Sequence, residues 1–348
     1  MTSIALPTTM KVVHQPDPKS IDLVLEDGPL PQPSHAEDCI VKVYAATPCL
    51  NELHWEVWFP SVFSPGRERV PCTEAAGVIA HIPDAGLAKS FGFKVGDEVF
   101  FRINPSQTGN LREYTLARLS QIAHKPKNMS WVEAGATPLS ALTAWQGLFQ
   151  HGILDSGAIS GTDETIKDNK NENLKVLITG ASGVVGSFAV RFAALAGVSQ
   201  IMGVASGSTA DFVQKLGASE IIDYRKQSIS EWVAQDPANR EVDLVLDCVG
   251  GKTLSSSWSA VKNGGVLLSV AGDPVEAKPE SCDKKLREAK WYLVEPNGKH
   301  LQAISKLIEA GKCTTQVDSA VDFADFQKAF DKVESKQAKG KVVIKVVS

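Results

Sequence analysis

Two patterns of apolar residues follow one another along this chain and predict two kinds of sheet. In the N-terminal part, short apolar or alternating runs such as Lys11–His14, Cys39–Ala45 and Glu98–Arg102 are separated by Pro, Gly and Asp. That spacing predicts a small barrel or paired sheets. Beyond Lys175, buried-strand runs such as Val242–Asp247 alternate with helical segments. This alternation predicts a doubly wound parallel sheet with crossover helices.

The clearest local signal is a strand, a glycine turn and a helix over residues 175–197. An aliphatic run leads to Gly180, Gly183 and Gly186, and apolar residues then recur at helical spacing. The first glycine permits a tight turn, the second lets the backbone approach a pyrophosphate, and the third lets helix and strand pack closely. The helix N-terminus then offers N–H groups to phosphates. The order predicts the first half of a dinucleotide-binding unit, although a glycine-rich turn alone is often only a turn.

The residues after the second predicted strand favour a phosphorylated dinucleotide. An NAD site usually has a carboxylate about 20 residues beyond the glycines. Here Ser206 and Ser208 occupy that region, and the first carboxylate is Asp211. Small hydroxyls with Lys215 and Arg225 nearby suit a 2′-phosphate, which favours NADP(H). The alternative is that Asp211 only begins the next helix and Lys215 is only solvated.

Composition narrows the function further. The formal net charge of -4 over 348 residues gives no basic footprint for nucleic acid. No apolar run approaches the roughly 20 residues that cross a bilayer. Met1–Ser20 has prolines where a signal peptide has an apolar core. Six scattered cysteines indicate reduced thiols, so we expect a cytoplasmic enzyme.

Six motifs spread over the chain carry a family resemblance. They are Cys72–Val78 (CTEAAGV), Val95–Val99 (VGDEV), Glu133–Trp145, Leu216–Tyr224 (LGASEIIDY), Asp247–Gly251 (DCVGG) and Gly340–Val343 (GKVV). From about Val41 to Val347 the chain resembles the medium-chain dehydrogenase/reductase superfamily, in its zinc-free quinone oxidoreductase and enoyl reductase branch. The resemblance implies an α/β Rossmann domain over 132–273, with an exposed polar insertion at 155–173. It also implies a β-rich, GroES-like catalytic domain built from both chain ends, 1–131 and 274–348.

The resemblance implies an activity as well. The expected enzyme is an NADPH-dependent, zinc-independent reductase that transfers hydride to the activated C=C of an enone or enoyl substrate. An NADPH:quinone reductase, a carrier-dependent trans-acting enoyl reductase and a non-catalytic NADPH-binding protein remain alternatives. The expected partner is a small apolar enone or quinone, with no nucleic acid and no membrane, and the chain is expected to be a monomer or a homodimer.

Site residues are carried over from the resemblance position by position. The adenosine phosphate is expected at Ser206, Lys215 and Tyr224, and the pyrophosphate at Ser182, Gly183, Val184 and Val185. Nicotinamide-side contacts are expected at Asn51, Thr143, Val249, Val270, Ala271 and Lys341. Thr143 and Asn51 are candidates to polarise the substrate, and Tyr292 is a candidate proton donor. Trp55, Trp58 and Phe59 form an aromatic loop that either packs or lines the substrate pocket.

No metal site is expected. The catalytic zinc ligands of metal-dependent relatives align with Asn51, Thr73 and Pro138, none of which suits zinc. The free thiols of Cys49 and Cys72 lie near this region and could form at most a ligand pair. Some relatives also carry a tyrosine and an acidic residue in the loop after Asn51; here Glu56 and His54 stand in those two places, so the proton donor stays open.

Overall fold

The computed structural model describes residues 6–160 and 169–347. Strands form at β1 Thr9–His14, β2 Val24–Pro29, β3 Asp38–Thr47, β4 Glu74–His81, β5 Glu98–Arg102, β6 Tyr114–Arg118, β7 Ile122–His124, β8 Lys175–Ile178, β9 Gln200–Ala205, β10 Glu220–Asp223, β11 Val242–Asp247, β12 Val261–Ser269, β13 Glu288–Trp291, β14 Val317–Asp322 and β15 Lys341–Lys345. In the described part, no helix is long and apolar enough to span a membrane.

Helices connect these strands and are mostly short. They are α1 Trp55–Trp58, α2 Ala85–Phe91, α3 Trp131–Gly135, α4 Pro138–Trp145, α5 Gly157–Ser160, α6 Val184–Leu195, α7 Ala210–Leu216, α8 Ile229–Ala234, α9 Pro237–Arg240, α10 Gly251–Ser257, α11 Gly298–Glu309 and α12 Phe326–Glu334. A π-helical turn, Gln146–Gln150, continues α4. Ser130 begins α3 with a capping box to Glu133. Pro138 starts α4, where its missing N–H costs nothing.

Residues Thr143–Val294 form one compact unit around a parallel sheet. Its six strands run in the order β10-β9-β8-β11-β12-β13, and every described pairing among them is parallel. The central strands are buried on both faces, as their continuous aliphatic runs predict. The predicted Rossmann-type sheet is confirmed.

The second unit joins the chain up to Leu142 with the segment from Glu295 onwards. Its seven-stranded sheet has the order β14-β15-β3-β4-β5-β7, with β6 also paired to β3, and a two-stranded sheet, β1-β2, accompanies it. The β14–β15 pair is parallel and the other pairs are antiparallel, so the sheet is mixed. One apolar core combines Val41, Phe101 and Phe330 from distant parts of the sequence. Both chain ends therefore build this unit, as expected.

The unit boundaries fall later in the chain than the sequence pattern places them. The parallel sheet extends beyond residue 273 because β13 adds to its edge, with Val266 opposite Glu288. That strand reads Glu-Ala-Lys-Trp and has no apolar run to announce it. The predicted insertion at 155–173 includes residues 161–168, which lie outside the described residues. At its end Asn171 is buried, which contradicts the expected exposure there, because its amide donates to the carbonyls of Asp155 and Ala196.

Candidate active site

In the parallel-sheet unit, the glycine turn lies between β8 and α6 as predicted. Gly180 has a φ of 59°, a backbone conformation that favours glycine. A Cβ atom on Gly186 would lie 2.2 Å from the Gly180 carbonyl oxygen, so the turn and the helix touch there. Gly183 is the N-cap of α6, and no side chain caps that end. The first-turn N–H groups of this 12-residue helix are therefore available to a phosphate.

Asp247, which sequence reasoning treated only as part of a motif, organises the carboxyl ends of three central strands. The carboxylate is fully buried and accepts hydrogen bonds from the hydroxyls of Thr179 at 2.6 Å and Ser269 at 2.8 Å. It also accepts the Gly250 N–H at 2.9 Å. The network fixes the strand ends where doubly wound sheets bind ligands. The signal in the sequence was an aspartate at the end of one apolar run, with hydroxyl residues at the ends of two other apolar runs.

The expected adenosine-phosphate residues differ in their surroundings. Ser206 is buried at the end of β9, and its hydroxyl contacts those of Ser208 at 2.9 Å and Thr209 at 3.1 Å. Lys215 is exposed on α7, and Tyr224 is 56% exposed beyond β10. The set thus offers hydroxyls, an ammonium and an open aromatic face.

One residue beside this set favours an unphosphorylated cofactor instead. Asp223 pairs in register with Ala205 at the end of β9, and a Cβ on Gly207 would lie 2.7 Å from its carboxylate. A carboxylate at that point favours the free hydroxyls of an unphosphorylated ribose. The sequence window that identified Ser206 did not include Asp223, since the contact runs between neighbouring strands.

The nicotinamide-side residues of this unit lie at strand ends and on α4. Val249 is half exposed after β11, and Val270 and Ala271 follow β12 directly. Thr143 is buried on α4, and its carbonyl oxygen accepts the Tyr292 hydroxyl proton at 2.8 Å. Burial holds the pKa of Tyr292 well above its usual value. Tyr292 thus donates to the backbone that carries Thr143, which favours a positioning role over the proton donation first considered.

In the unit formed by the chain ends, Asn51 and Lys341 each form a hydrogen bond with a glutamate. Asn51 has a φ of 59° and donates its N–H to Glu334 at 2.7 Å. Lys341 Nζ donates to Oε1 of the fully buried Glu74 at 2.6 Å, and Glu74 Oε2 accepts the Leu139 N–H. Burial alone lowers the pKa of a lysine, but the Glu74 carboxylate outweighs it and the pKa of Lys341 is raised.

Glu52 is a site residue that sequence reasoning missed. Its two carboxyl oxygens accept the N–H groups of Cys49 at 2.9 Å and Cys72 at 2.8 Å, joining two loops. Burial raises the pKa of Glu52 to about 7, against the opposing effect of those two hydrogen bonds. The carboxyl group is therefore poised between its two protonation states at neutral pH.

The aromatic loop divides into a half-buried part and an exposed part. Trp55 lines a narrow pocket, whereas Trp58 and Phe59 are 53% and 45% exposed and lie outside its lining. His54 stacks on Trp58 with ring centroids 5.2 Å apart. Glu56, which stands where some relatives carry tyrosine, forms ion pairs with Arg67 and Arg69. These ion pairs indicate a structural role for Glu56 and do not support a role as proton donor.

The positions expected to correspond to zinc ligands carry Asn51, Thr73 and Pro138, none of which offers a thiolate, imidazole or carboxylate. No group of three or more His, Cys, Asp and Glu side chains within residues 6–160 and 169–347 has the arrangement of a metal site. Burial raises the pKa of Cys49 to about 11 and that of Cys72 well above its ordinary value. Both thiols are therefore protonated in the metal-free protein.

One protein family and three known proteins are similar to this chain in sequence. The family described as "Zinc-binding dehydrogenase" matches residues 216–344. "Probable zinc-binding oxidoreductase, mitochondrial" of Arthroderma benhamiae is 38% identical, over 99% of this chain and 98% of the relative. "NAD(P)H oxidoreductase RTN4IP1, mitochondrial" of Homo sapiens is 30% identical, over 80% and 72%. "2-methylene-furan-3-one reductase" of Solanum lycopersicum is 29% identical, over 99% and 81%.

A solved structure gives the same fold. The quinone oxidoreductase from Coxiella burnetii superposes with a TM-score of 0.77 at 22% identity, covering 97% of this chain and all of that one. Fold and relatives together define an oxidoreductase that uses a nicotinamide cofactor. The chain belongs to the medium-chain dehydrogenase/reductase superfamily. Because two of these relatives are named as mitochondrial, the cytoplasmic location expected from the sequence stays a prediction.

Proposed function

We propose that this chain is an NADPH-dependent, zinc-independent reductase of C=C bonds conjugated to a carbonyl group. The proposal is supported chiefly by Asn51, Thr73 and Pro138, which are poor zinc ligands at the positions where metal-dependent relatives bind zinc, in a fold that suits a nicotinamide dinucleotide. Where zinc does not polarise a carbonyl, hydride addition to an already activated C=C is the easier reaction. The relative from Solanum lycopersicum carries the name of such a reductase.

The residues that fit the cofactor divide by task. Ser182, Gly183, Val184 and Val185 would present the α6 N-terminus to the pyrophosphate, and Ser206, Lys215 and Tyr224 would hold the adenosine phosphate. The expected nicotinamide contacts would be Thr143, Val249, Val270 and Ala271 in the parallel-sheet unit and Asn51 and Lys341 in the other unit. When bound, NADPH supplies the hydride. The protein then orients the substrate, excludes water and stabilises the negative charge that moves onto the carbonyl oxygen.

Two observations support alternatives in which the cofactor is NADH or the substrate is a quinone. Asp223 beside the β9 end favours NADH, because a carboxylate repels a 2′-phosphate. The solved quinone oxidoreductase shares the fold of this chain, and a quinone ring accepts hydride by the same shift of charge to oxygen. Both alternatives are outcomes of the experiment below.

The test is anaerobic reduction of 3-penten-2-one with NADPH or NADH, with the product identified by mass spectrometry. We expect 2-pentanone with an intact carbonyl group and a preference for NADPH. Ser206→Asp should reverse that preference, whereas Ser206→Ala, the matched control, should only weaken NADPH binding. Formation of an alcohol, or equal rates with NADH in the unaltered enzyme, would contradict the proposed reaction or the proposed cofactor. Turnover of quinones alone would assign the quinone reductase function.

A further inference from the structure

A narrow pocket lies inside the unit formed by the chain ends, beside the Glu52 carboxyl group. Its lining includes Glu52, Trp55, Phe63, Arg67 and Thr73. The space admits little more than one water-sized group. A pocket of this size suits a single polar atom of a ligand, and its aromatic walls suit the carbon atoms attached to that atom.

Two of the hydrogen-bond donors that line this pocket are buried. The Thr73 hydroxyl and the Arg67 Nε have no hydrogen-bond partner among residues 6–160 and 169–347. Thr73 is only 7% exposed, so its hydroxyl is largely withdrawn from bulk water. Buried polar groups without partners are rare in folded proteins and call for an explanation. Two such donors on one small pocket leave a place for one acceptor atom.

The backbone around Thr73 is held in an unusual conformation. Cys72 has a φ of 69°, a region that residues with a Cβ rarely occupy. The Glu52 carboxylate holds the Cys72 N–H, and the Thr73 carbonyl accepts the Ile103 N–H at 2.8 Å. Strained backbone that is fixed from both sides is typical of sites where a side chain must be aimed.

We propose that Thr73, assisted by Arg67, is a catalytic residue that binds the carbonyl oxygen of the substrate and stabilises the enolate. This inference rests on the proposed enone reduction and names the group that polarises the substrate. Neither residue was among the polarising groups expected from the sequence, which were Thr143 and Asn51. Glu52 is a positioning residue here, since it acts through the backbone of Cys72.

The step conserves atoms and charge. Hydride bonds to the β-carbon with its electron pair, the C=C pair moves between the α-carbon and the carbonyl carbon, and the C=O pair moves to oxygen. Thr73 keeps its proton and donates a hydrogen bond to the enolate oxygen. A proton from water then bonds to the α-carbon, and the C=O bond re-forms.

The test uses a coloured substrate analogue and three variants of the full chain. With NADP⁺ present, no reduction occurs, and polarisation of bound 4-(4-dimethylaminophenyl)-3-buten-2-one shifts its absorption to longer wavelength. We expect Thr73→Val to abolish that shift and to lower kcat for 3-penten-2-one about 100-fold. Thr73→Ser should restore both, because it keeps the hydroxyl. Thr315→Val is the matched control, since Thr315 is equally buried in the same unit and its hydroxyl bonds only the Ala136 carbonyl.

The outcomes separate this inference from the proposed function. If the unaltered enzyme forms no saturated ketone, the proposed function fails. If the enzyme forms the ketone and Thr73→Val retains the absorption shift and kcat, the hydroxyl does not contact the substrate oxygen and the inference is overturned. An equal loss in Thr315→Val would also overturn it, because the effect would then be general loosening of the unit.

Discussion

The clearest quantitative consequence of the structure concerns the stability of the protein as a function of pH. Glu52 has a pKa of about 7 against an ordinary value of 4.5, because burial disfavours its charged form. Nearby Glu74 raises that pKa further, whereas Lys341 and the N–H groups of Cys49 and Cys72 lower it. The difference corresponds to roughly 3 kcal/mol. We expect about 2 kcal/mol in practice, because the residue retains some contact with solvent.

The sign follows from the direction of the pKa change. A raised pKa means that the folded state holds its proton more tightly, so this stabilisation is complete below about pH 4.5 and is lost as the pH rises through 7. Glu52→Gln removes the titration but also removes one acceptor from a backbone N–H. The variant should therefore be less stable than the unaltered protein at pH 5, and the gap should narrow by about 2 kcal/mol by pH 8.

Urea denaturation at half-unit steps between pH 5 and pH 8 measures the two free energies of unfolding. Glu276→Gln, at an exposed position, is the control and should give a difference that does not vary with pH. A constant difference for Glu52→Gln over the same range would refute the assignment of a raised pKa to this carboxyl group. A gap that widens with pH would reverse its sign.

Three further predictions test the remaining parts of the site. Gly186→Ala should weaken NADPH binding at least tenfold in a fluorescence titration, because its Cβ would lie 2.2 Å from the Gly180 carbonyl oxygen. Gly86→Ala, in α2 of the other unit, has the Asp84 side chain as its nearest neighbour at 3.3 Å and should change NADPH binding little; equal effects would contradict this. Lys341→Met should cost about 3–5 kcal/mol of unfolding free energy by leaving Glu74 uncompensated, and adding Glu74→Gln should recover part of it. No recovery would show that the two residues are uncoupled. Thr143→Val should lower turnover with NADPH affinity nearly unchanged, and unchanged turnover would remove Thr143 from the mechanism.

Local patterns predicted the architecture well because each element carries its own signal. The aliphatic run before Gly180 and the helical spacing after Gly186 define β8 and α6 without knowledge of the rest of the chain. The motifs at both chain ends likewise predicted that they share one unit. Strand β13 was missed because it has only four residues at the sheet edge, and Glu-Ala-Lys-Trp alternates polar and apolar residues over too short a stretch to stand out.

The sequence by itself therefore determined the α/β fold with its two kinds of sheet and the dinucleotide turn. These follow from residue type and spacing, which are properties of short segments. Only the tertiary structure decided which side chains share an environment. It joined Glu52 to Cys72, Glu74 to Lys341 across 267 residues, and the Tyr292 hydroxyl to the Thr143 carbonyl. Burial, pKa and hydrogen-bond satisfaction arise from such long-range contacts, so no local pattern can encode them.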